Sequence, residues 1–415
     1  MVLTNPPYGQ KLKISDKELL NAYELGHEWG LDKNNNYFIK SGILDNQTPQ
    51  VLFIERCINL LKPGGLLGIV APESMFCNPS HKYIMKFVES HTRVEAIVSM
   101  PEELFQPHTH AKTCVAILKK LSNNETISPD HSVFMAIAEH CGHDSRGKQI
   151  LFDDLPLISD IYKNFKRGRK PKKYDHLGFF VKQSEIVDSI YLPVYYNPEI
   201  KQKIQSIKKD YELVKFGDLV KSKIISVRMG NEVGKLAYGS GRIPFIRTSD
   251  IANWEIKLDP KQGLAEDIYE YYREKQDVRA NDILMVRDGT YLVGTCALVS
   301  ENDTKIVYQS HIYKIRSEDQ EKMSPLLLLA LLSCPLVKEQ IRSKQFTQDI
   351  IDTLGARINE LILPIPKDPK TKEKIIQNVA KILEKRKQAK LEMKETLLGI
   401  TPNHGFDTDG FMTLV

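Results

Sequence analysis

The tetrapeptide Asn5-Pro6-Pro7-Tyr8, directly behind the short apolar lead Val2-Leu3-Thr4, constrains this chain more than any other stretch. Two consecutive prolines lock φ and remove backbone donors, so the carbonyls stay aimed into a pocket instead of relaxing into a helix or a ladder. The Asn5 side-chain oxygen and the Pro6 carbonyl then offer two acceptors, enough to take both hydrogens of an exocyclic amino group. Such an amine is a poor nucleophile while its lone pair is delocalised into a base ring, and two acceptors restore it. Tyr8 can stack on the extruded base. The bland alternative is a proline-stiffened turn, because Asn-Pro and Pro-Pro are common loop punctuation.

A donor of the S-adenosylmethionine type needs a Gly-rich turn after an early strand, where backbone can approach the ligand, and an acidic residue further on for the ribose hydroxyls. Nothing of that kind fits into the residues ahead of Asn5. The stretch Lys62-Pro63-Gly64-Gly65-Leu66-Leu67-Gly68 follows a helical pattern and leads into the apolar run Leu66 to Val70. That order is wrong for a cofactor loop, so it reads as a turn.

At 415 residues the chain is long enough for two or three domains with their own cores. Its 41% hydrophobic and 27% charged residues are ordinary for a water-soluble protein, and a net charge of +5 is too mild to argue for nucleic acid without local clustering. Six cysteines without a Cys-x-x-Cys pair argue against zinc and disulfides and for a reducing cytosol. Met1 to Lys11 shows no basic-then-apolar signal pattern, and the longest apolar run, Leu326 to Leu332, is far short of a membrane span. The expectation is a cytoplasmic protein with no membrane contact.

From Asn5 to about Asn46 the sequence is polar and weakly periodic, as a substrate-facing loop with a short helix would be. Thr48-Pro49 reads as N-cap and first helical residue, with Val51, Ile54, Ile58 and Leu61 on one face and Pro63-Gly64-Gly65 as the stop. Strand-like runs at Leu66 to Val70, Val94 to Ser99 and Thr113 to Leu118 alternate with helical segments, as in part of a doubly wound α/β sheet whose last strands can pair antiparallel. The basic run from Lys166 to Lys173 reads equally as a solvated loop or as phosphate contact. Beyond Tyr195-Tyr196-Asn197-Pro198, short alternating segments such as Ile243 to Thr248, Asp282 to Arg287, Cys296 to Val299 and Ile312 to Ile315 indicate a compact β-rich domain. Pro325 to Phe346 reads as one or two buried helices and Leu361 to Pro366 as an extended closing stretch. Residues 371 to 398 form a lone helix with Ile375, Val379, Ile382 and Leu383 on one side, a stripe that asks for a partner helix. The expected divisions are 1–185, a linker at 186–210, 211–366, a coiled-coil-like helix at 367–400 and a tail at 401–415.

Taken together these residues resemble N6-adenine DNA methyltransferases of the type I restriction–modification modification-subunit family, joined to a target-recognition domain like those of type I specificity subunits. The resemblance covers nearly the whole chain. It is carried by Thr4-Asn5-Pro6-Pro7-Tyr8-Gly9, Leu61-Lys62-Pro63-Gly64-Gly65, Ala71-Pro72-Glu73, Pro101-Glu102-Glu103-Leu104-Phe105 leading to Ala111-Lys112-Thr113, and His143-Asp144 with Arg146-Gly147. On the recognition side it rests on Ile246-Arg247-Thr248-Ser249-Asp250-Ile251, Asp282-Ile283-Leu284 and Leu354-Gly355-Ala356-Arg357-Ile358-Asn359. It implies the C-terminal half of a Rossmann-like α/β methyltransferase sheet, followed by an α+β or β-rich target-recognition domain and a C-terminal helix. It further implies site-specific adenine-N6 methylation of double-stranded DNA with S-adenosyl-L-methionine as cofactor.

Carried over to this sequence, the family makes Asn5, Pro6, Pro7 and Tyr8 the catalytic target-amine site, with Tyr8 stacking on the base. The resemblance gives Phe105 the opposite stacking face, whereas the residue on its own reads more readily as a buried core phenylalanine. The chain departs from the family at its start, where the helical N-terminal domain and the cofactor-binding strands are missing, so it is expected to be incomplete for cofactor binding. Similar tetrapeptides occur in enzymes that methylate glutamine side chains or RNA guanines, and the recognition-like domain is what favours DNA. The alternative is a non-catalytic DNA-binding remnant, or a specificity or regulatory subunit.

In the recognition-like domain Arg228, Arg242, Arg247 and Arg287 lie near Gly- or Asp-rich turns from which a guanidinium could reach a major groove. The cluster His140-Cys141-Gly142-His143 lacks further ligands, and His108 and His110 read as loop residues, so no metal is expected. Pro129-Asp130 followed by Glu139-His140 lacks the Glu-x-Lys of a magnesium nuclease site. A single recognition domain reads half of a bipartite site, so the helix at 371 to 398 is expected to join a second copy or another restriction–modification subunit.

Overall fold

The computed structural model describes residues 1–7, 12–109, 111–169, 175–257, 260–289, 291–348 and 351–400. The chain forms two compact units, Met1–Glu199 with Phe346–Ile350, and Ile200–Gln345 with Ile351–Val415.

In the first unit, β1 (Val2–Thr4) is followed by α1 (Lys17–Asn21), the hairpin β2 (His27–Leu31) and β3 (Tyr37–Ile43), α2 (Pro49–Leu60) and β4 (Leu66–Pro72). Then come α3 (Ser74–Cys77), α4 (Lys82–His91), β5 (Thr92–Ser99), β6 (Thr113–Lys120), β7 (Ser132–Ile137), the hairpin β8 (Cys141–His143) and β9 (Gln149–Asp153), α5 (Leu155–Lys166) and β10 (Phe179–Lys182). Six of these strands form one sheet in the order β1-β4-β6-β5-β7-β10. β1, β4, β5 and β7 run parallel, while β6 and the edge strand β10 run antiparallel to them. Both faces are covered, which is why the central strands are apolar almost throughout. Leu67, Ile69 and Ala71 pack under Val51, Ile54 and Ile58 of α2 and Ile84, Phe87 and Val88 of α4. On the opposite face Ala96, Phe134 and Ala136 meet Ile158 of α5.

α2 starts with Thr48 in the N-cap position and Pro49 in the first turn, although no hydrogen bond from the Thr48 side chain caps it. Its last carbonyls are held by tertiary structure: the Lys120 ammonium donates to Ile58 O and Leu61 O, each at 2.9 Å. Gly64, at φ 75°, makes the turn into β4, a conformation only glycine adopts cheaply. The segment expected to be loop with a short helix carries α1 and, in addition, the β2–β3 hairpin. That hairpin escaped the periodicity because most of its residues are exposed or half-buried on both faces.

The unit division falls inside α6 (Pro198–Ser206). The second unit continues with β11 (Tyr211–Lys215), α7 (Phe216–Lys221), β12 (Ile225–Met229), β13 (Ile243–Ile246), β14 (Ile251–Ala252), β15 (Glu255–Ile256), β16 (Gly263–Leu264), α8 (Glu266–Gln276), β17 (Ile283–Val286), β18 (Cys296–Leu298), β19 (Val307–Tyr308) and β20 (Ile312–Ser317). After α9 (Pro325–Ser333) and α10 (Pro335–Lys344), β21 (Phe346–Gln348) belongs to the first unit, and β22 (Ile351–Thr353), β23 (Ile362–Pro366) and α11 (Pro369–Ile400) to the second. The main sheet, β12-β20-β17-β18, is antiparallel throughout. Beside it lie the three-stranded β16-β13-β19 and the pair β11-β23.

The fold class is the expected one: an α/β sheet, then a β-rich unit, then a C-terminal helix. The stripe on α11 finds a partner inside its own unit. Val379 is 3% exposed, and it shares a core with Leu327 to Leu329, Leu331 and Leu332 of α9, with Ile375, Ile376 and Leu383 packed alongside. Ile382 lies outside that contact, 41% exposed, as do Leu391, Met393, Leu397 and Ile400 further along. Among the described residues no helix is long and apolar enough to cross a membrane.

Candidate functional site

β1 is three residues long because the prolines behind it supply no ladder donors. Its register on β4 ends at Thr4 opposite Ile69, so Asn5, Pro6 and Pro7 leave the sheet at its carboxyl end, beside the last residues of β4. Pro6 is buried, whereas Asn5 and Pro7 are exposed. Tyr8 lies outside the described residues. In open α/β sheets, ligands bind at the carboxyl ends of the parallel strands.

The other parallel strands deliver their loops to the same end. β4 runs into Glu73, whose N–H donates to Lys112 O at 3.0 Å. β5 leads to the 3-10 turn Glu102–Phe105, where Lys112 Nζ sits 3.1 Å from Glu102 Oε1. β7 leads to the β8–β9 hairpin. The turn and hairpin enclose a cavity of about 340 Å³ lined by Leu104, Phe105, Gln106, Pro107, His108, Thr109, His143 and Gly147. Phe105 is half-buried and faces this cavity; Asn5, Pro6 and Pro7 do not line it. Phe105 and the Asn5-Pro6-Pro7 segment thus share one end of the sheet without sharing this cavity.

Sequence reasoning missed the floor of this region. The Ser99 and Thr113 hydroxyls are buried there with no hydrogen-bond partner among the described residues. Burial, with Glu73 and Cys77 nearby, holds the Cys114 thiol well above its ordinary range. Isolated small polar residues in apolar strands announce nothing by spacing. In the hairpin, Cys141 Sγ and His143 Nε2 are 3.6 Å apart, and the described residues contain no group of three or more side chains able to hold a metal ion. His110 and the segment 170–174 of the basic run lie outside the described residues.

In the second unit the four arginines separate. Arg228 is exposed on β12, opposite Lys314 of β20. Arg242 is exposed at the start of β13, where it lines a cavity of about 880 Å³ together with Trp254, Glu266 and Lys305, and with Arg386 and Lys390 of α11. Arg247 follows the end of the same strand. Its N–H donates to Asp250 Oδ2 at 2.9 Å, and its guanidinium lies 5.9 Å from the Tyr238 ring. Arg287 follows β17 with Nη1 2.9 Å from Met229 Sδ and its guanidinium 5.8 Å from the Tyr313 ring. Arg287 Nε is 3.2 Å from Asp288 Oδ1, close enough for an ion pair but without hydrogen-bond geometry. Beside it Asp288 holds His311 Nδ1 at 2.8 Å and accepts from the Thr353 hydroxyl. Nothing in the 23-residue separation of Asp288 and His311 foretells that pair.

Residues 1–210 match the N-6 DNA methylase family, and residues 208–393 match the type I restriction modification DNA specificity domain. A search of the curated proteins gives no match. Among solved structures, the type IIG restriction endonuclease BpuSI is similar at 12% identity and TM-score 0.38, over 91% of this chain and 48% of that one. The type I methyltransferase subunit from Streptococcus thermophilus is similar at 20% identity and TM-score 0.34, over 46% of this chain and 36% of that one. The type I S subunit from M. genitalium is similar at 9% identity and TM-score 0.30, over 86% and 99%. At TM-scores this low none of these likenesses carries weight, and the chain spans about half or less of the first two structures. The family match, which takes in more than half of the sequence, makes this chain a member of the N-6 DNA methylase family, with a type I restriction modification DNA specificity domain following it.

Proposed function

We propose that the chain takes part in site-specific methylation of duplex DNA at the N6 amine of adenine, within a cytoplasmic restriction–modification system. The observation that carries this reading is the exit of Asn5-Pro6-Pro7 from the carboxyl end of a parallel strand in the family-matched region, with Pro6 buried and Asn5 exposed. A flipped adenine, extruded at a cost of a few kcal/mol, presents its amine to the Asn5 side-chain oxygen and the Pro6 carbonyl. Those acceptors take its two hydrogens and stabilise the charge that develops on nitrogen. Tyr8 and Phe105 stack on the base, and Arg228, Arg242, Arg247 and Arg287 hold the duplex.

The residues described here do not fit S-adenosyl-L-methionine, the donor this chemistry uses. Gly64 and Gly65 precede the first residue of β4, whereas Asn5 follows the last residue of β1. Because the two strands are parallel, turn and amine site lie at opposite ends of the sheet, roughly 15 Å apart at 3.3 Å per residue. On this reading the donor is held by another segment or chain. That misfit also favours a second reading, a DNA-binding specificity or regulatory subunit without catalysis. A partner, either a second copy or another restriction–modification subunit, meets the exposed part of α11 beyond Ile382.

Mapping N6-methyladenine genome-wide in the native cells, before and after deletion of the gene, separates these readings. Loss of one methylated motif, restored by the wild-type chain and not by N5A, is expected. Persistence of every motif refutes participation in methylation, and rescue by N5A refutes the role of the amine site while leaving specificity intact.

A further inference from the structure

We propose that one rim of the second unit, formed by the turn Gln309-Ser310-His311 with Arg247 at one end and Arg287 at the other, reads base edges in the major groove, while Arg228 and Arg242 contact phosphate. This rests on the reading of that unit as a DNA-recognition module. The turn joins β19 to β20 and touches the ends of both arginine-bearing strands: Gln309 N–H donates to Ile246 O at 2.9 Å, and Arg287 N–H donates to His311 O at 2.8 Å. The turn is tight, closed by Ile312 N–H donating to Gln309 O at 3.1 Å, and so keeps the two strand ends close together. Arg242 and Arg247 flank the four-residue β13 and stand about 16 Å apart, too far to read adjacent pairs.

The rim arginines are braced where the other two are not. Arg247 and Arg287 each lie near an aromatic ring, and each has a buried Nε that makes no hydrogen bond among the described residues. A guanidinium packed near a ring has fewer orientations open to it, which favours bidentate pairing with guanine, and Arg287 Nη1 rests in addition 2.9 Å from Met229 Sδ. Acceptors lie between the two forks. The Asp288 carboxylate can only accept, so His311 Nδ1 carries the hydrogen towards it, leaving Nε2 as the ring atom available to a base edge. That side chain is 39% exposed. Glu232 lies 3.8 Å from His311 Nε2 and takes the Ser310 hydroxyl hydrogen. Gly230 lets β12 cross this turn, since a Cβ there would come within 2.2 Å of Gln309 O.

The full chain and its variants are incubated with a randomised duplex DNA pool, bound molecules are sequenced, and affinity for a nonspecific duplex is followed against salt. R247K and R287K keep the charge and lose the fork. Each is expected to flatten preference at one motif position by about ten- to hundredfold, with the salt dependence unchanged. H311A is expected to relax an intervening position. R228A and R242A are expected to weaken all sequences alike and lower the salt slope by about one. A motif unaltered by R247K, R287K and H311A overturns the rim alone, as does R242A reshaping the motif. A wild-type chain that enriches no motif overturns the recognition reading itself, and the rim with it. Three rim variants on separate elements keep the test decisive if one fails to fold.

Discussion

Replacing Lys314 with methionine should abolish a rise in stability that the second unit gains above pH 8. Lys314 sits on β20 with its side chain 2% exposed, and its ammonium donates to the carbonyls of Gln276 and Asp277 at the end of α8. Burial pulls its pKa from 10.5 down to about 8, and Asp282, 3.7 Å away, opposes that only in part. The folded state therefore releases the proton near pH 8 and the unfolded state near 10.5. Between those values the unfolded chain binds more protons, so stability climbs with pH. At 1.36 kcal/mol per pH unit the interval is worth about 3 kcal/mol. Other lysines and the tyrosines titrate in the same window, so the quantity to measure is the difference between wild type and K314M. At pH 7 the substitution both removes a costly buried charge and strips two carbonyls of a donor, which leaves the slope as the diagnostic. Urea unfolding from pH 7 to 10.5, read by Trp254 in a W29F background, isolates the second unit, because the chain has two tryptophans and Trp254 is anchored there through Ser333. Parallel stability curves for K314M and wild type would show that the buried ammonium is not the source.

V379D and I382D test where the α11 stripe is satisfied. V379D, which drives a carboxylate into the α9 core, should destabilise the second unit by 3 kcal/mol or more, on the order of other buried-charge substitutions, while I382D should stay within about 0.5 kcal/mol. Equal loss from both in a thermal melt contradicts the packing. At low pH the slope has the same sign as in the lysine case, because here too the folded state has the lower pKa, although now it is the charged form that the fold favours. Burial raises the Asp277 pKa, but hydrogen bonds from Arg316 and Arg279 outweigh it and hold the carboxyl at about 2, below its ordinary 3.8. The stability it provides is complete above 3.8 and lost as pH falls towards 2. Since that side chain is 31% exposed, about 1–2 kcal/mol is at stake. D277N should show a correspondingly flatter acid limb, and an unchanged limb assigns the acid loss to other groups.

What the sequence decided by itself was local and steric. Two prolines end β1 at Thr4; Pro49 starts α2; Gly64 turns the chain into β4. Each follows from φ restriction or from a missing donor, which neighbours along the chain cannot override. Class and order of the large pieces were legible for a similar reason, since strands covered on both faces are written as apolar runs. The tertiary structure decided what meets what. It gave the α11 stripe to α9, paired Asp288 with His311, buried Lys314 under α8, and put Arg247 and Arg287 at the ends of one turn while Arg242 went elsewhere. Periodicity records that a side chain is buried but not by which surface, because burial free energy is non-directional and any apolar face of the right shape satisfies it.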